Sequence, residues 1–174
     1  MEFLIFSDSH GRVEGMQRAI QKQIKRPDLI VHLGDGAGDL EYLSCARTPV
    51  LTVRGNCDLF TVSQQVPEER TIEEMGHKIL IVHGHRYFVK ESFTALIVHA
   101  AEIGADIVLY GHTHVPQEDR LAAGSEIGSV KLERPMYLFN PGSIGRNVDG
   151  GGVSFGTLSL TDRAVLFSHG RIRI

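Results

Sequence analysis

No run of apolar residues in this chain approaches the ~18 that a membrane-spanning helix requires. The first residues, Met1-Glu2-Phe3-Leu4-Ile5-Phe6, carry neither a basic leader nor a small-residue cleavage site, so export and membrane insertion are not expected. Cysteine is scarce. Cys45 and Cys57 are the only two; they could form one disulfide, but nothing demands it, and a reducing cytoplasm is the simpler expectation. Positive charge is not in surplus either. With 18 Lys and Arg against 21 Asp and Glu, the net charge of −3 gives no global field for nucleic acid or an anionic membrane. No Gly-Lys-Ser/Thr phosphate loop occurs, and Gly34-Asp35-Gly36-Ala37-Gly38 lacks the spacing of a dinucleotide fingerprint.

What is present begins with size. A chain of 174 residues can bury a sizeable core, and without a linker, repeat or low-complexity tract it reads as one domain, 1–174. The first two thirds alternate strand and helix patterns. Phe3 to Phe6 reads as a buried strand; Val13, Met16, Ile20 and Ile24 are spaced for one helical face, which Pro27 ends. Asp28 to Leu33 and Val50 to Val53 read as further strands, and residues 59–67 as loop. A hairpin is expected around Met75-Gly76-His77, then a helix capped by Ser92 with Phe93, Leu96, Ile97 and Ala100 on its apolar face and Gly104 as its stop. Asp106 to Tyr110 is the last strand of this half. Beyond Pro116 short strands take over, near residues 117–122, 129–133, 136–139, 153–160 and 164–167, with a terminal strand in which Arg171 and Arg173 alternate with Ile172 and Ile174.

The chemistry-bearing residues stand just past apolar runs. Asp8 and His10 follow the first strand, Asp35 the second, Asn56 the third, His83 the run ending at Val82, and His112 and His114 the run ending at Tyr110. Sites in open α/β sheets collect at such strand ends. Each residue also has an ordinary role to weigh: Asp8 as an N-cap, Asp35 and Asn56 as turn residues, the histidines as exposed loop residues. Taken together, two carboxylates, four imidazoles and one amide form a hard-to-borderline donor set suited to manganese, iron, nickel or zinc. Seven donors exceed one tetrahedral ion and suit two ions ~3.5–4 Å apart. Other histidines read differently. His32 is a packed or partly exposed strand residue rather than a ligand, His77 a turn residue, His85 more solvent-facing than cleft-facing, and His99 structural or exposed. Asp39 is expected to cap the short helix through Leu40 and Leu43 rather than bind metal.

The ordered set Asp8-Ser9-His10, Gly34-Asp35, Gly55-Asn56-Cys57-Asp58, His83-Gly84 and Gly111-His112-Thr113-His114 resembles the motifs of the calcineurin-like metallophosphoesterases, and the compact size and Asn140-Pro141-Gly142-Ser143 look like their small bacterial and archaeal phosphodiesterase branch. The resemblance implies an α/β fold, a four-layer αββα sandwich of two mixed sheets flanked by helices. It implies one ion on Asp8, His10, Asp35 and His114, a second on Asp35, Asn56, His83 and His112, and Asp35 between them. The implied activity is phosphodiester hydrolysis with two divalent ions, manganese foremost, and a small phosphodiester as substrate. The residues expected to serve the chemistry are Asn56, Cys57, Asp58 and His83. Much of the superfamily has histidine where Cys57 stands. A thiol is a weak hydrogen-bond donor and a weaker acid, which favours substrates with good leaving groups. Cys57 either contacts substrate or is a small packed residue. Asp58 orients nearby backbone or Arg54, or is a turn aspartate, and Asn140 and Ser143 are candidates for the cleft rim. A phosphomonoesterase or nuclease on the same site is the near alternative. A non-catalytic scaffold, as in the retromer's phosphoesterase-like subunit, is the alternative from another class. The complete donor set argues against the scaffold. Exposed apolar edges in the second half leave a homo-oligomer open.

Overall fold

The computed structural model describes residues 1–45, 47–58, 65–148 and 150–173. Twelve strands and two α-helices run in the order Glu2–Phe6 (β1), Val13–Gln21 (α1), Leu29–His32 (β2), Val50–Thr52 (β3), Glu69–Glu74 (β4), His77–Val82 (β5), Thr94–Glu102 (α2), Ile107–Leu109 (β6), Pro116–Leu121 (β7), Glu126–Ile127 (β8), Val130–Lys131 (β9), Met136–Pro141 (β10), Val153–Leu160 (β11) and Val165–Ile172 (β12). One five-stranded sheet has the order β12-β11-β1-β2-β3, the other β4-β5-β6-β10-β7, and β8 and β9 form a small ribbon. Both large sheets are mixed. β1, β2 and β3 are parallel and β11 pairs antiparallel with both β1 and β12, while β5, β6 and β10 are parallel with β4 and β7 antiparallel at the edges.

Side-chain alternation along each strand builds the layers. Phe3 and Ile5 of β1 enter a central cluster with Ile79 and Ile81 of β5, Ile107 and Leu109 of β6, and Phe139 of β10. Their neighbours turn outward. Leu4 and Phe6 pack with Met16 and Ala19 of α1, and Leu80, Val108 and Leu138 pack with Leu96, Ile97 and Ala100 of α2. The result is the expected αββα sandwich. Strands apolar on both faces occupy its middle, each buried side chain contributing roughly 1.5–3 kcal/mol.

Several local expectations shift. α1 stops at Gln21, six residues short of Pro27, and Ile24 lies fully exposed beyond it. The face that packs is Met16 and Ala19, with Val13 and Ile20 against it. α2 begins at Thr94 with Phe93 in the N-cap position, one residue later than expected, and Ser92 Oγ accepts the Thr94 N–H from just outside the helix. Gly104, at φ 75°, does end that helix region, accepting a left-handed backbone that a side chain would strain. The hairpin turns on Met75 and Gly76, both at positive φ as a two-residue connection requires. His77 is therefore the first residue of β5 rather than a turn residue, with Nδ1 2.9 Å from the buried Asp106 carboxylate. The strands expected at 164–167 and at the terminus are one, β12, because β11 pairs with it continuously from Leu160↔Val165 to Val153↔Ile172. Residues 59–64 of the expected loop and Ile174 lie outside the described residues.

Phe139 locks the two sheets together. Its ring stacks on Phe167 at 4.5 Å and on His169 at 4.6 Å, both from β12. Gly156 of β11 leaves room for that ring, and a Cβ there would overlap it. Gly156→Ala is expected to cost about 1–3 kcal/mol through overpacking, measured as a lower urea midpoint at unchanged slope.

Candidate metal centre

The parallel strands of both sheets end at one rim. Asp8 follows β1, Asp35 follows β2, His83 follows β5, and His112 and His114 follow β6. The chain turns sharply at these ends. Asp8, His10, Asp35, His112 and His114 all hold positive φ, between 46° and 69°. Left-handed backbone is uncommon outside glycine, and its concentration at five of the seven expected donors marks stored local strain. Two glycines admit the carboxylates. A Cβ on Gly55 would collide with Asp35, and one on Gly111 with Ser7 Oγ, the hydroxyl that donates to Asp8 Oδ2 at 2.5 Å.

Six of the seven expected donors converge into two trios, Asp8/His10/His114 and Asp35/His83/His112, whose ligating atoms lie within 4.8 Å of one another in each. Within the first, His114 Nε2 is 3.1 Å and His10 Nε2 3.9 Å from Asp8 Oδ1, and the two imidazole nitrogens are 3.4 Å apart. Within the second, His83 Nε2 is 3.4 Å from Asp35 Oδ2 and 3.2 Å from His112 Nδ1. The trios adjoin, since His83 Nε2 is also 4.0 Å from Asp8 Oδ1. Asn56 stands exposed on the 3-10 turn Asn56–Asp58. Its amide nitrogen reaches Cys57 Sγ at 3.4 Å, and among the described residues its side chain makes no hydrogen bond to either trio.

The electrostatics suit a cation. Asp8 is fully buried and, among the described residues, its Oδ1 has no hydrogen-bond partner, although it faces three imidazoles. Burial opposes its ionisation, but the His114 imidazole 3.1 Å from Oδ1, the His83 charge and the Ser7 hydroxyl outweigh burial and hold the carboxyl below its ordinary range. Burial also opposes ionisation of Asp35. Its hydrogen bond and charge pairing with His83, and the Cys57 N–H at 2.7 Å, pull it far below that range. His83 shows the converse. Burial disfavours its charge, yet Asp35 and Asp8 raise its pKa. His83 Nδ1 donates to the Leu33 carbonyl at 2.7 Å, which orients the ring and turns Nε2 to the carboxylates. A proton on Nε2 and a divalent cation are thus alternative partners for the same oxygens. His112, by burial and then the His83 charge, is lowered to about 4 and keeps a free lone pair at neutral pH. An unpartnered carboxylate oxygen, two close nitrogen–nitrogen approaches and an oxygen/nitrogen donor set fit divalent metal ions.

Asp58 lies beneath the centre. Its buried carboxylate accepts four backbone N–H groups, Asp35 and Gly55 on Oδ2 and Gly36 and Ala37 on Oδ1, at 2.7–3.1 Å. It orients backbone, while Arg54 pairs instead with Glu68 at 3.0 Å. Asn140 and Ser143 do the same for other loops. Asn140 Nδ2 donates to the Gly111 carbonyl and to Thr113 Oγ1, and Ser143 Oγ donates to the Asp8 carbonyl. Cys57 is an exposed, free thiol at the mouth, not a packed residue. Desolvation, then the Asp35 carboxylate, pushes its pKa up to about 11. Asp39 is no cap, being inside the 3-10 helix Ala37–Tyr42, and its carboxylate reaches back to Ser9 Oγ and the Gly11 N–H. His85 is turned inward rather than to solvent. Its ring lies 5.4 Å from His83 and 6.1 Å from His112, and its Nδ1 is buried without a partner. The only sequence signal for that was its place two residues after His83, across a glycine.

The domain of the calcineurin-like phosphoesterase superfamily is matched by residues 1–163. The probable metallophosphoesterase YsnB of Bacillus subtilis is 35% identical over 144 residues, which cover 83% of this chain and 75% of that protein. Phosphodiesterase YfcE of Escherichia coli is 26% identical over 180 residues, covering 91% and 87%. Among solved structures, wild-type Vps29 of Entamoeba histolytica, complexed with zinc, aligns with a TM-score of 0.73 at 24% identity over 97% of this chain and 91% of that one, a likeness of fold.

Asp58→Ala leaves four backbone donors unmatched. It is expected to destabilise the fold on the order of 3 kcal/mol in urea titrations and to weaken metal binding in calorimetry. His32 supplies a pH test. It is buried, and Nδ1 accepts the Gly34 N–H, leaving Nε2–H to donate to Ser9 Oγ at 3.1 Å. Burial lowers its pKa to about 4, so the unfolded chain takes up the proton first as pH falls, and the stability His32 contributes above about pH 6.5 is lost toward pH 4. The stability difference between wild type and His32→Asn is expected to shrink by about 2 kcal/mol between pH 6.5 and 5.

Proposed function

The chain belongs to the calcineurin-like phosphoesterase superfamily, and on that premise we propose that it is a phosphodiesterase that works with two divalent metal ions, manganese foremost. The metal-dependent phosphoesterase activity is the family's; the diester preference and the two ions are the finer reading. The observation that carries it is the pair of adjoining trios around the unpartnered Asp8 Oδ1. Asp8, His10 and His114 would hold one ion, and His83 and His112 with Asn56 the other. Asp35 would serve both, in keeping with its grouping with His83 and His112 on one side and with His10 and Cys57 on the other. Two such ions supply an activated water near neutral pH and draw charge off a phosphoryl group.

The protein's own residues do the positioning. His83 is fixed by Leu33, Asp35 by the Cys57 amide and by the loop that Asp58 ties, and Asp8 by Ser7 and the His112 amide. Cys57, protonated at neutral pH, stands where it can offer a weak S–H donor to a substrate oxygen. A weak acid there assists a good leaving group and does little for a poor one, which favours activated diesters over monoesters. YfcE, named a phosphodiesterase, is a relative in keeping with this choice. That all seven candidate donors are retained in the sequence and six converge favours catalysis over a scaffold role. An exposed free thiol beside the centre suits the reducing cytoplasm, and among the described residues no helix is long and apolar enough to cross a membrane.

The test is hydrolysis of bis(p-nitrophenyl) phosphate beside p-nitrophenyl phosphate by metal-stripped protein with manganese, nickel, zinc or magnesium restored. Metal-dependent cleavage favouring the diester is expected, and a preference for the monoester would contradict the role given to Cys57. Asp35→Asn is expected to lower turnover by more than about a hundredfold and to weaken metal binding, and wild-type turnover in that variant would remove Asp35 from between the ions.

A further inference from the structure

Beside the metal centre lies a cavity of about 300 Å³ whose lining includes Glu69, His83, His85, Tyr87 and His99. It shares His83 with the centre. His85 joins the two spaces, since it lines the cavity and its ring lies 6.1 Å from that of His112. Gly84 between the two histidines, at φ 105°, makes the turn that brings both rings to this side.

The rest of the cavity is built from polar groups held in place. Tyr87 stacks on His99 at 5.1 Å, and both bond Glu69 Oε2, the phenol donating at 2.7 Å and the imidazole nitrogen at 3.1 Å. Both contacts fall on one carboxylate oxygen, so among the described residues Oε1 keeps its capacity to accept. Glu68 is matched by Arg54 and Arg86. Among the described residues, one buried nitrogen of the lining lacks a partner, His85 Nδ1. The charges around the cavity largely cancel, while hydrogen-bonding capacity is left over. That combination disfavours a second phosphate and a lipid tail, and suits a neutral group rich in hydroxyls.

We propose that this cavity receives the alcohol arm of the substrate, and that the arm is a sugar-like polyol whose hydroxyls meet Glu69 and His85. The inference rests on the phosphodiesterase reading, in which the phosphoryl group sits at the trios, and it adds the substrate class. His85 and Glu69 are then specificity residues, and they select what hangs from the phosphate.

The test compares binding of ribose 5-phosphate with that of inorganic phosphate by calorimetry on the manganese-loaded protein, which requires no turnover. The wild type is expected to bind ribose 5-phosphate about tenfold more tightly, the gain of one or two hydrogen bonds. His85→Ala and Glu69→Ala are each expected to bring that ratio toward one, with inorganic phosphate binding reporting that the centre is intact. Equal affinity in the wild type, or a ratio that neither variant changes, would overturn the inference while leaving the phosphoesterase reading in place. Failure of the wild type to bind either ligand would overturn both.

Discussion

Two carboxylates held out of water beside four imidazoles set the terms for the rest of this structure. Asp8 is fully buried and Asp35 nearly so, and an ionised carboxylate in such a place is tolerable only if positive charge and hydrogen bonds surround it. The fold supplies part of that surrounding itself: a hydroxyl and an amide for Asp8, an amide for Asp35, and His83 between them. One oxygen of Asp8 is left without a hydrogen bond. A cation is the partner that all these atoms have in common, and the two-metal reading follows from that shared need rather than from any single residue.

Holding that arrangement requires backbone that would not be chosen for its own sake. Left-handed conformations at Asp8, His10, Asp35, His112 and His114 crowd the ends of β1, β2 and β6. Buried side chains beneath the rim offset the strain. Asp58 gathers four amides of the Asp35 loop, Asn140 fixes the Gly111 turn, and Ser143 holds the Asp8 carbonyl. Below these lies the double-sided packing of β1, β5 and β6, which is rigid enough to present the loops in one geometry. Core, supporting carboxylate and donor set thus form one chain of dependence, from apolar strands to a site that can grip ions.

The sequence singled out the candidate donors because each stands just after an apolar run, and strand ends are where such sites form. It revealed the sandwich in outline because strands apolar on both faces must be covered twice. What it hid depends on distant partners. Nothing local announces that Asp58 serves the loop of Asp35, 23 residues away, or that Asp39 binds back to Ser9, 30 residues earlier in the chain. His77 looked like a turn residue until Asp106, 29 residues on, gave its ring a partner inside the strand. His85 looked solvent-facing because its neighbours His83 and His112 converge only when β5 and β6 pair. Ile24 fitted the helical period of α1, but the helix had already ended. Periodicity reports what a face would look like and not where the chain leaves it.

The most direct measurement is anomalous diffraction from crystals of the manganese-bound protein. The account predicts two peaks, one among Asp8, His10 and His114 and one among Asp35, His83 and His112, with Asp35 in contact with both. A single peak, or manganese held elsewhere with both trios empty, would contradict it.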